Sequence, residues 1–391
     1  MTEAMPTAMS DFNDIRPYHD DEVRVTLDRI LADKEFSLSV AKLRFPRLSR
    51  TLPWLMQPIA KAILKSELAG IQCVAEFQKV VEKYLRGMMG GSANALTSSG
   101  LDKLDPKQAY LFVSNHRDIA MDSAFISWSL FKNKLDTPRN AIGDNLLSKP
   151  FVSDLMRLNK SFIVNRSATK PREKFKAAKY LSSYIYHSLV NEKANTWIAQ
   201  REGRAKDGID RTNSAVIGMF GLSKPKTEDY GDHIAKLNIV PVSISYEWDP
   251  CDGAKTRELY AQTTQGSYAK REHEDIESIA TGIAGRKGAV HVAFGDVISS
   301  VFNSAEAVVT EIDRQIIDNY ILQPSNCLAY IKLHGELPSA ARYSSEALPF
   351  TESALKTEQI EFEQRLAAVP TEQQAIYLAM YANPLISKYS E

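Results

Sequence analysis

Tyr110-Leu111-Phe112-Val113-Ser114-Asn115-His116-Arg117-Asp118-Ile119-Ala120-Met121-Asp122 is the stretch on which the fold turns. Four apolar residues run together, polar residues follow, and a helical pattern begins near Asp122. A short unbroken apolar run reads as a strand buried on both faces. Similar runs recur at Phe162–Val164, Trp197–Ala199, Ile239–Ile244 and Val290–Phe294. Helical stretches separate them, at roughly 123–132, 145–158, 171–192 and 213–222. Strands alternating with helices predict an α/β layer architecture. His116 then falls just past the C-terminal end of a strand, where α/β folds place their ligands.

The flanks read differently. Residues 1–35 are polar and acid-rich, a tail expected to be partly disordered. Residues 37–66 hold Lys42, Arg44, Arg47, Arg50, Lys61 and Lys65 with no acidic residue, among Leu52, Trp54, Leu55, Met56 and Ile59. Basic and aromatic residues beside an apolar face suit an anionic membrane surface, and equally a packed helix pair with exposed lysines. Pro46, Pro53 and Pro58 are expected to divide this region into short pieces. From Ile59 to Tyr84 the apolar residues keep three- and four-residue steps, which predicts one helix ended by Gly87, Gly90 and Gly91. After residue 302 the chain reads as helices, with starts at Asn303/Glu306 and at a capping box Thr371/Gln374. The expected division is a tail (1–35), an amphipathic helical lead-in (36–91), a central domain (92–300) and a C-terminal helical region (301–391).

Composition excludes several classes. Lys+Arg and Asp+Glu both number 48, so net charge says nothing about nucleic acid or acidic partners, and no nucleic-acid partner is expected. Cys73, Cys251 and Cys327 lie far apart and form no CxxC pair, so neither a zinc site nor a disulfide framework is implied. A reducing cytoplasm fits. Asn165-Arg166-Ser167 matches a glycosylation sequon and is read as chance. No apolar run approaches the roughly 18–20 residues of a spanning helix.

The chemistry centres on His116. A neutral histidine with a carboxylate behind it is a general base, because the carboxylate fixes the tautomer and stabilises the imidazolium that forms. Asp118 and Asp122 are both near enough in sequence to serve. Alone, the segment reads as a helix cap with ordinary N-terminal charges. His116-Arg117-Asp118 also spells the start of a protein-kinase catalytic loop. That loop needs an Asn where Ser123 stands, a glycine-rich phosphate loop upstream and an Asp-Phe-Gly downstream, and none is present.

Three later strand ends supply the context. Ser161–Ser167 ends in Arg166; Trp197–Arg204 runs into Glu202-Gly203-Arg204, followed by Lys206 and Arg211; Ile239–Ile244 carries Pro241. Arginine offers a fork suited to phosphate or carboxylate. In this order the segments resemble the four blocks of the glycerolipid acyltransferase family, of the lysophosphatidate or glycerol-3-phosphate acyltransferase type. Asn115-His116…Asp122 resembles the first block, Phe162–Ser167 the second, Gln200–Asp207 the third and Val240-Pro241-Val242 the fourth; Val290–Asp296 resembles the family's later strand ending in Phe-Gly. The resemblance spans roughly residues 92–300 and departs from the family in two places. The first block usually places four residues between His and Asp, whereas five precede Asp122 and one precedes Asp118. The third block usually carries its Arg one position after Arg204. The subgroup is therefore divergent, and Asp122 is preferred over Asp118 because Ala124-Phe125-Ile126 matches the family's helix.

The resemblance implies a mixed, mostly parallel sheet flanked by helices. It implies an acyl-CoA or acyl-carrier-protein donor and a lysophospholipid or glycerol phosphate acceptor, with no metal or other cofactor. His116 would be the base, oriented by Asp122 or Asp118; Arg166, Glu202, Gly203, Arg204 and Lys206 would bind the acceptor phosphate. The expected location is cytoplasmic, peripheral to the inner face of a membrane. Rival readings are an acyltransferase with a non-glycerol lipid acceptor, an inactive lipid-binding relative, and a scaffold with a C-terminal interaction region. His187, His233, His273, His291 and His334 have no spaced partners and read as structural.

Overall fold

The computed structural model describes residues 12–45, 48–147, 149–299, 301–337 and 352–389. Along the chain come α1 (Asp20–Ala32), α2 (Lys34–Arg44), α3 (Leu48–Thr51), α4 (Pro53–Leu68) and α5 (Val74–Ser92). Then follow β1 (Ala93–Ser99), β2 (Leu111–Ser114), α6 (Met121–Lys132), β3 (Arg139–Gly143), α7 (Pro150–Leu158), β4 (Ser161–Val164) and α8 (Pro171–Tyr186). Next are β5 (Thr196–Ala199), α9 (Ser214–Phe220), α10 (Tyr230–Ala235), β6 (Ile239–Tyr246), α11 (Asp252–Gln265), α12 (Glu274–Ala284) and β7 (Gly288–Phe294). Helices α13 (Ala305–Asp318), α14 (Pro324–His334), α15 (Glu352–Ala367) and α16 (Gln374–Tyr389) complete the chain. These elements sort into two compact units that ignore chain order: Met1–Arg86 with Arg139–Tyr184, and Gly87–Pro138 with Ile185–Glu391.

In the larger unit the strands lie in the order β1-β7-β6-β2-β5. β2 runs parallel to both β5 and β6, β1 runs parallel to β7, and β6 and β7 are antiparallel. The fold is α/β with a mixed, mostly parallel sheet. Every residue of β2 and β6 is buried, as their unbroken apolar runs require. Helix α6 lays Met121, Phe125, Ile126 and Leu130 against Phe112, Val240 and Phe294. Ser114 stands level with Ala199 of β5 and Val242 of β6, so the residues just after β2 and β5 share one sheet edge. Strand β1 has no sequence signal: Ala-Asn-Ala-Leu-Thr-Ser-Ser is small, polar and mostly exposed at the sheet margin. The C-terminal helices build a separate cluster from Trp248, Phe362, Leu366, Tyr377 and Tyr381. Two expected caps shift. Ser304, one residue after Asn303, caps α13 by accepting from the Ala307 N–H. Thr371 opens a 3₁₀ turn that leads into α16 at Gln374, so a helix starts there as expected, but the Gln374 side chain donates to the carbonyls of Leu366 and Val369 and closes the end of α15 instead of completing a capping box with Thr371.

The smaller unit holds α1–α4, most of α5, α7 and the parallel pair β3–β4. Part of the expected tail is ordered: Val23, Leu27 and Ile30 form a buried stripe on α1 hidden among acidic residues. Residues 1–11, the remainder of that tail's disordered expectation, lie outside the described residues. The single helix expected over 59–84 is two. The chain breaks at Ala69–Cys73, where Gly70 sits in a turn, Glu76 caps the Gln72 N–H and Asp20 accepts from the Val74 N–H. Pro53 starts α4, where its missing donor costs nothing, and Pro58 lies inside α4 without ending it; Pro46 is outside the described residues. Gly87, Gly90 and Gly91 likewise fail to stop α5, which continues to Ser92. Strand β3 was not expected because Arg139-Asn-Ala-Ile-Gly143 is short and half-buried.

Candidate active site

At the C-terminal edge of β2 the chain turns through Asn115–Ala120 into α6. Asn115 is fully buried and holds this turn to β6: its amide donates to the Ile244 carbonyl (3.0 Å) and accepts from the Ile244 N–H (2.8 Å). It also donates to Asp210 (3.0 Å). His116 follows, 13% exposed at its side chain, its ring edge-on to Trp197 with centroids 6.2 Å apart.

Asp122 lies in the first turn of α6 and is wholly buried. Its Oδ2 accepts from His116 Nδ1 (2.8 Å) and from the N–H groups of Arg117 (2.7 Å) and Asp118 (3.0 Å). Its Oδ1 accepts from Tyr246 Oη (2.6 Å), which reaches over the edge from the end of β6. Burial alone would raise this carboxyl, but the His116 hydrogen bond and charge, with Tyr246 behind them, hold it below the ordinary range. An ionised carboxylate only accepts, so His116 Nδ1 must carry the proton. In the neutral ring Nε2 is then the unprotonated nitrogen, and no described residue hydrogen-bonds to it. Tyr246 stays a donor, because burial and the Asp122 charge push its phenol well above its usual value.

Asp118 does different work. Its Oδ1 accepts from the N–H groups of Ala120 (3.0 Å) and Met121 (2.8 Å), capping α6. Burial, then the Asp122 charge, raises its carboxyl. Of the two carboxylates that sequence left open, Asp122 is therefore the one bonded to the imidazole.

The β5 end lies beside this turn. Gln200 N–H donates to the Ser114 carbonyl (2.8 Å), and Ala205 N–H donates to the His116 carbonyl (2.7 Å). The loop between them exposes Glu202 and Gly203, and Gly203 has φ +76°, the left-handed region that favours glycine. Arg204 has a buried guanidinium nitrogen, Nη1, with no acceptor among the described residues. Lys206 is committed to an ion pair with buried Glu258 on α11, and desolvation outweighs that pair to lower its ammonium. Arg166 belongs to the smaller unit, exposed after β4, its N–H donating to Asp144 (3.0 Å). Tyr246 and Asp210 were not singled out in the sequence. The extension of the Ile239–Ile244 run to Tyr246 was the one available signal for the former.

Residues 95–245 match the acyltransferase family model. This region is an acyltransferase domain. Among solved structures, the 1-acyl-sn-glycerophosphate (LPA) acyltransferase PlsC from Thermotoga maritima aligns over 62% of this chain and 78% of its own, with 15% identity and a TM-score of 0.35. No curated protein matched the chain in a sequence search. The acyltransferase domain contains His116, Asp122, Arg166 and the Glu202–Lys206 loop, along with the missed Asp210; Tyr246 stands one residue beyond its matched limit. Among the described residues, no group of His, Cys, Asp and Glu is arranged to hold a metal, and no helix is long and apolar enough to cross a membrane.

Proposed function

We propose that the enzyme moves a fatty acyl chain from an acyl-CoA or acyl-carrier-protein thioester to the hydroxyl of a lysoglycerophospholipid such as 1-acylglycerol 3-phosphate. The observation that carries the reading is the four-donor grip on Asp122, which leaves His116 with a basic Nε2. His116 Nε2 takes the proton from the acceptor hydroxyl as its oxygen attacks the thioester carbonyl. The tetrahedral intermediate collapses, the carbon–sulfur bond breaks, and the imidazolium returns the proton to the leaving thiolate. Asp122 stabilises the imidazolium in between, with no covalent acyl-enzyme. General-base help of this kind contributes about 10²–10⁴ in rate.

The acceptor phosphate is assigned to Arg204, whose buried Nη1 has no acceptor among the described residues. Lys206 is tied to Glu258, and its phosphate role is kept on the resemblance alone. Glu202 and Gly203 shape the turn, and Arg166 keeps its phosphate role on the resemblance alone. The membrane side is assigned to α3–α4. Leu48, Leu52, Trp54, Leu55 and Ile59 are exposed there, with Trp54 at 72%, and Lys61 and Lys65 are exposed nearby. Such a face suits an anionic bilayer from which a lysolipid is drawn.

The test is acyl transfer from labelled acyl-CoA and acyl-carrier protein to a panel of lysolipids, with His116→Ala as the comparison. The reading expects transfer by the wild type and its near loss in the variant; a variant as active as wild type removes His116 from the chemistry.

A further inference from the structure

Residue 117 directly follows the proposed base, and its peptide is held on both sides. Its N–H donates to Asp122 (2.7 Å), and its carbonyl accepts from Lys255 Nζ on α11 (2.7 Å). Lys255 is only 2% exposed and is ion-paired with Asp249. An ammonium so buried needs its charge paired and its donors engaged, and two of its three donors go to the Asp249 carboxylate and the Arg117 carbonyl. Asp249 is tied onward: its N–H donates to Tyr381 Oη on α16 (3.0 Å), and the Tyr381 hydroxyl donates to Asp252 (3.0 Å).

The Arg117 side chain is gripped as well. Its guanidinium meets Asp210 (2.6 Å) and lies over the Tyr320 ring, 5.7 Å from the centroid. Arg117, Tyr320, Asn326 and Tyr381 line one small cavity behind the His116 turn. The loop after β5 is fastened to the same helices: Asn383 donates to the Asp207 carbonyl (2.7 Å), and Asp313 accepts from the Thr212 N–H (2.8 Å). Tyr320, Tyr381, Asn383 and Asp313 all lie outside the acyltransferase match.

We infer that the C-terminal helices are a positioning part of the catalytic site, and that Lys255, held by Asp249 and Tyr381, fixes the His116 ring by clamping the Arg117 peptide. The inference rests on His116 being the base. It replaces a separate interaction module with a mount that sets the angle between His116 and Asp122.

The experiment uses the full-length protein. Lys255→Met is expected to lower kcat at least tenfold with KM within twofold of wild type. Lys255→Arg should recover part of the loss, and Tyr381→Phe should show a smaller loss with the same kcat–KM split. In parallel, ¹⁵N-histidine spectra should show His116 as a single Nδ1-protonated tautomer in wild type and a mixture in the variants. A folded Lys255→Met protein with kcat within twofold of wild type, or with an unchanged His116 signal, overturns the inference. If Lys255→Met does not fold, Tyr381→Phe decides by the same two criteria. A wild type that transfers no acyl chain sinks the functional reading, and the spectra then decide alone whether these helices hold the ring.

Discussion

His116 Nδ1 and Asp122 Oδ2 lie 2.8 Å apart, while Asp118, closer in sequence, turns its carboxylate to the backbone of Ala120 and Met121. His116→Ala should therefore lose about 10²–10⁴ in kcat, the contribution of a positioned base. Asp122→Asn should lose a comparable factor, since the amide can present a donor to Nδ1 and reverse the tautomer. Asp118→Asn keeps an acceptor for the helix cap and should stay within about threefold of wild type, less than the 1 kcal/mol typical of losing a cap. Steady-state transfer to a lysolipid checks all three. Equal losses in the two aspartate variants would contradict the division of labour.

Tyr246 donates to the other oxygen of Asp122 at 2.6 Å. Tyr246→Phe keeps the ring against Phe125, whose centroid lies 5.8 Å away, and removes only the donor. Leaving a buried charged acceptor short by one bond costs about 1–3 kcal/mol, so kcat should fall about tenfold or more. Kinetics at saturating acceptor measure it, and an unchanged kcat would show that three donors suffice.

The two aspartates should respond to pH in opposite senses. The folded Asp122 carboxyl lies below its ordinary 3.8, so its stabilising contribution is complete above that value and is lost as pH falls through the lower folded value. The folded Asp118 carboxyl lies above 3.8, so its contribution is complete below that value and is lost as pH rises through the higher folded one. Denaturant melts from pH 3 to pH 7 should show Asp122→Asn without the acid-side loss and Asp118→Asn without the decline above about pH 4. Parallel curves for wild type and both variants would refute the assignment.

Gly208 combines φ +80° with a tight approach, since an added Cβ would meet the Met380 carbonyl oxygen at 2.1 Å. Gly208→Ala should destabilise by about 2 kcal/mol or more, from left-handed strain and forced separation of the loop from α16. Thermal melting reads this directly; a Tm unchanged within a degree would mean that the helix yields freely.

Membrane attachment is best tested at the surface of α4, because removing residues 1–90 would strip away a structured core. Arg29 on α1 pairs with buried Asp154 on α7 (2.7 Å), and Leu158 of α7 packs among Val23, Leu27 and Leu64. Trp54→Ser with Leu55→Ser should leave the fold intact and reduce flotation with anionic vesicles. Lys61→Glu with Lys65→Glu should weaken anionic binding about tenfold or more, at about 1 kcal/mol per cation, and leave neutral vesicles unaffected. Undiminished flotation of both variants would move the membrane face elsewhere.

Much of the central fold was legible from residue order. The runs Tyr110–Val113 and Ile239–Ile244, within a residue or two of the observed β2 and β6, and the helix α6 announce themselves because buried strands and amphipathic helices need apolar residues at fixed spacings. The catalytic histidine candidate was legible too, as a polar residue placed at a strand's end. Edge strand β1, the stripe on α1 and the break between α4 and α5 were not: β1 pairs with its neighbour without burying an apolar face, the α1 stripe is hidden among acidic residues, and the break depends on capping by Asp20 and Glu76. Sequence alone placed a candidate base, His116, at the end of β2 with two carboxylates in reach. Only tertiary structure decided between them, because the choice depends on where Tyr246, from the far end of β6, and the Arg117 and Asp118 amides converge. A carboxylate with four donors gathered from separate parts of the chain is a property of folded space, and no spacing along the chain encodes it.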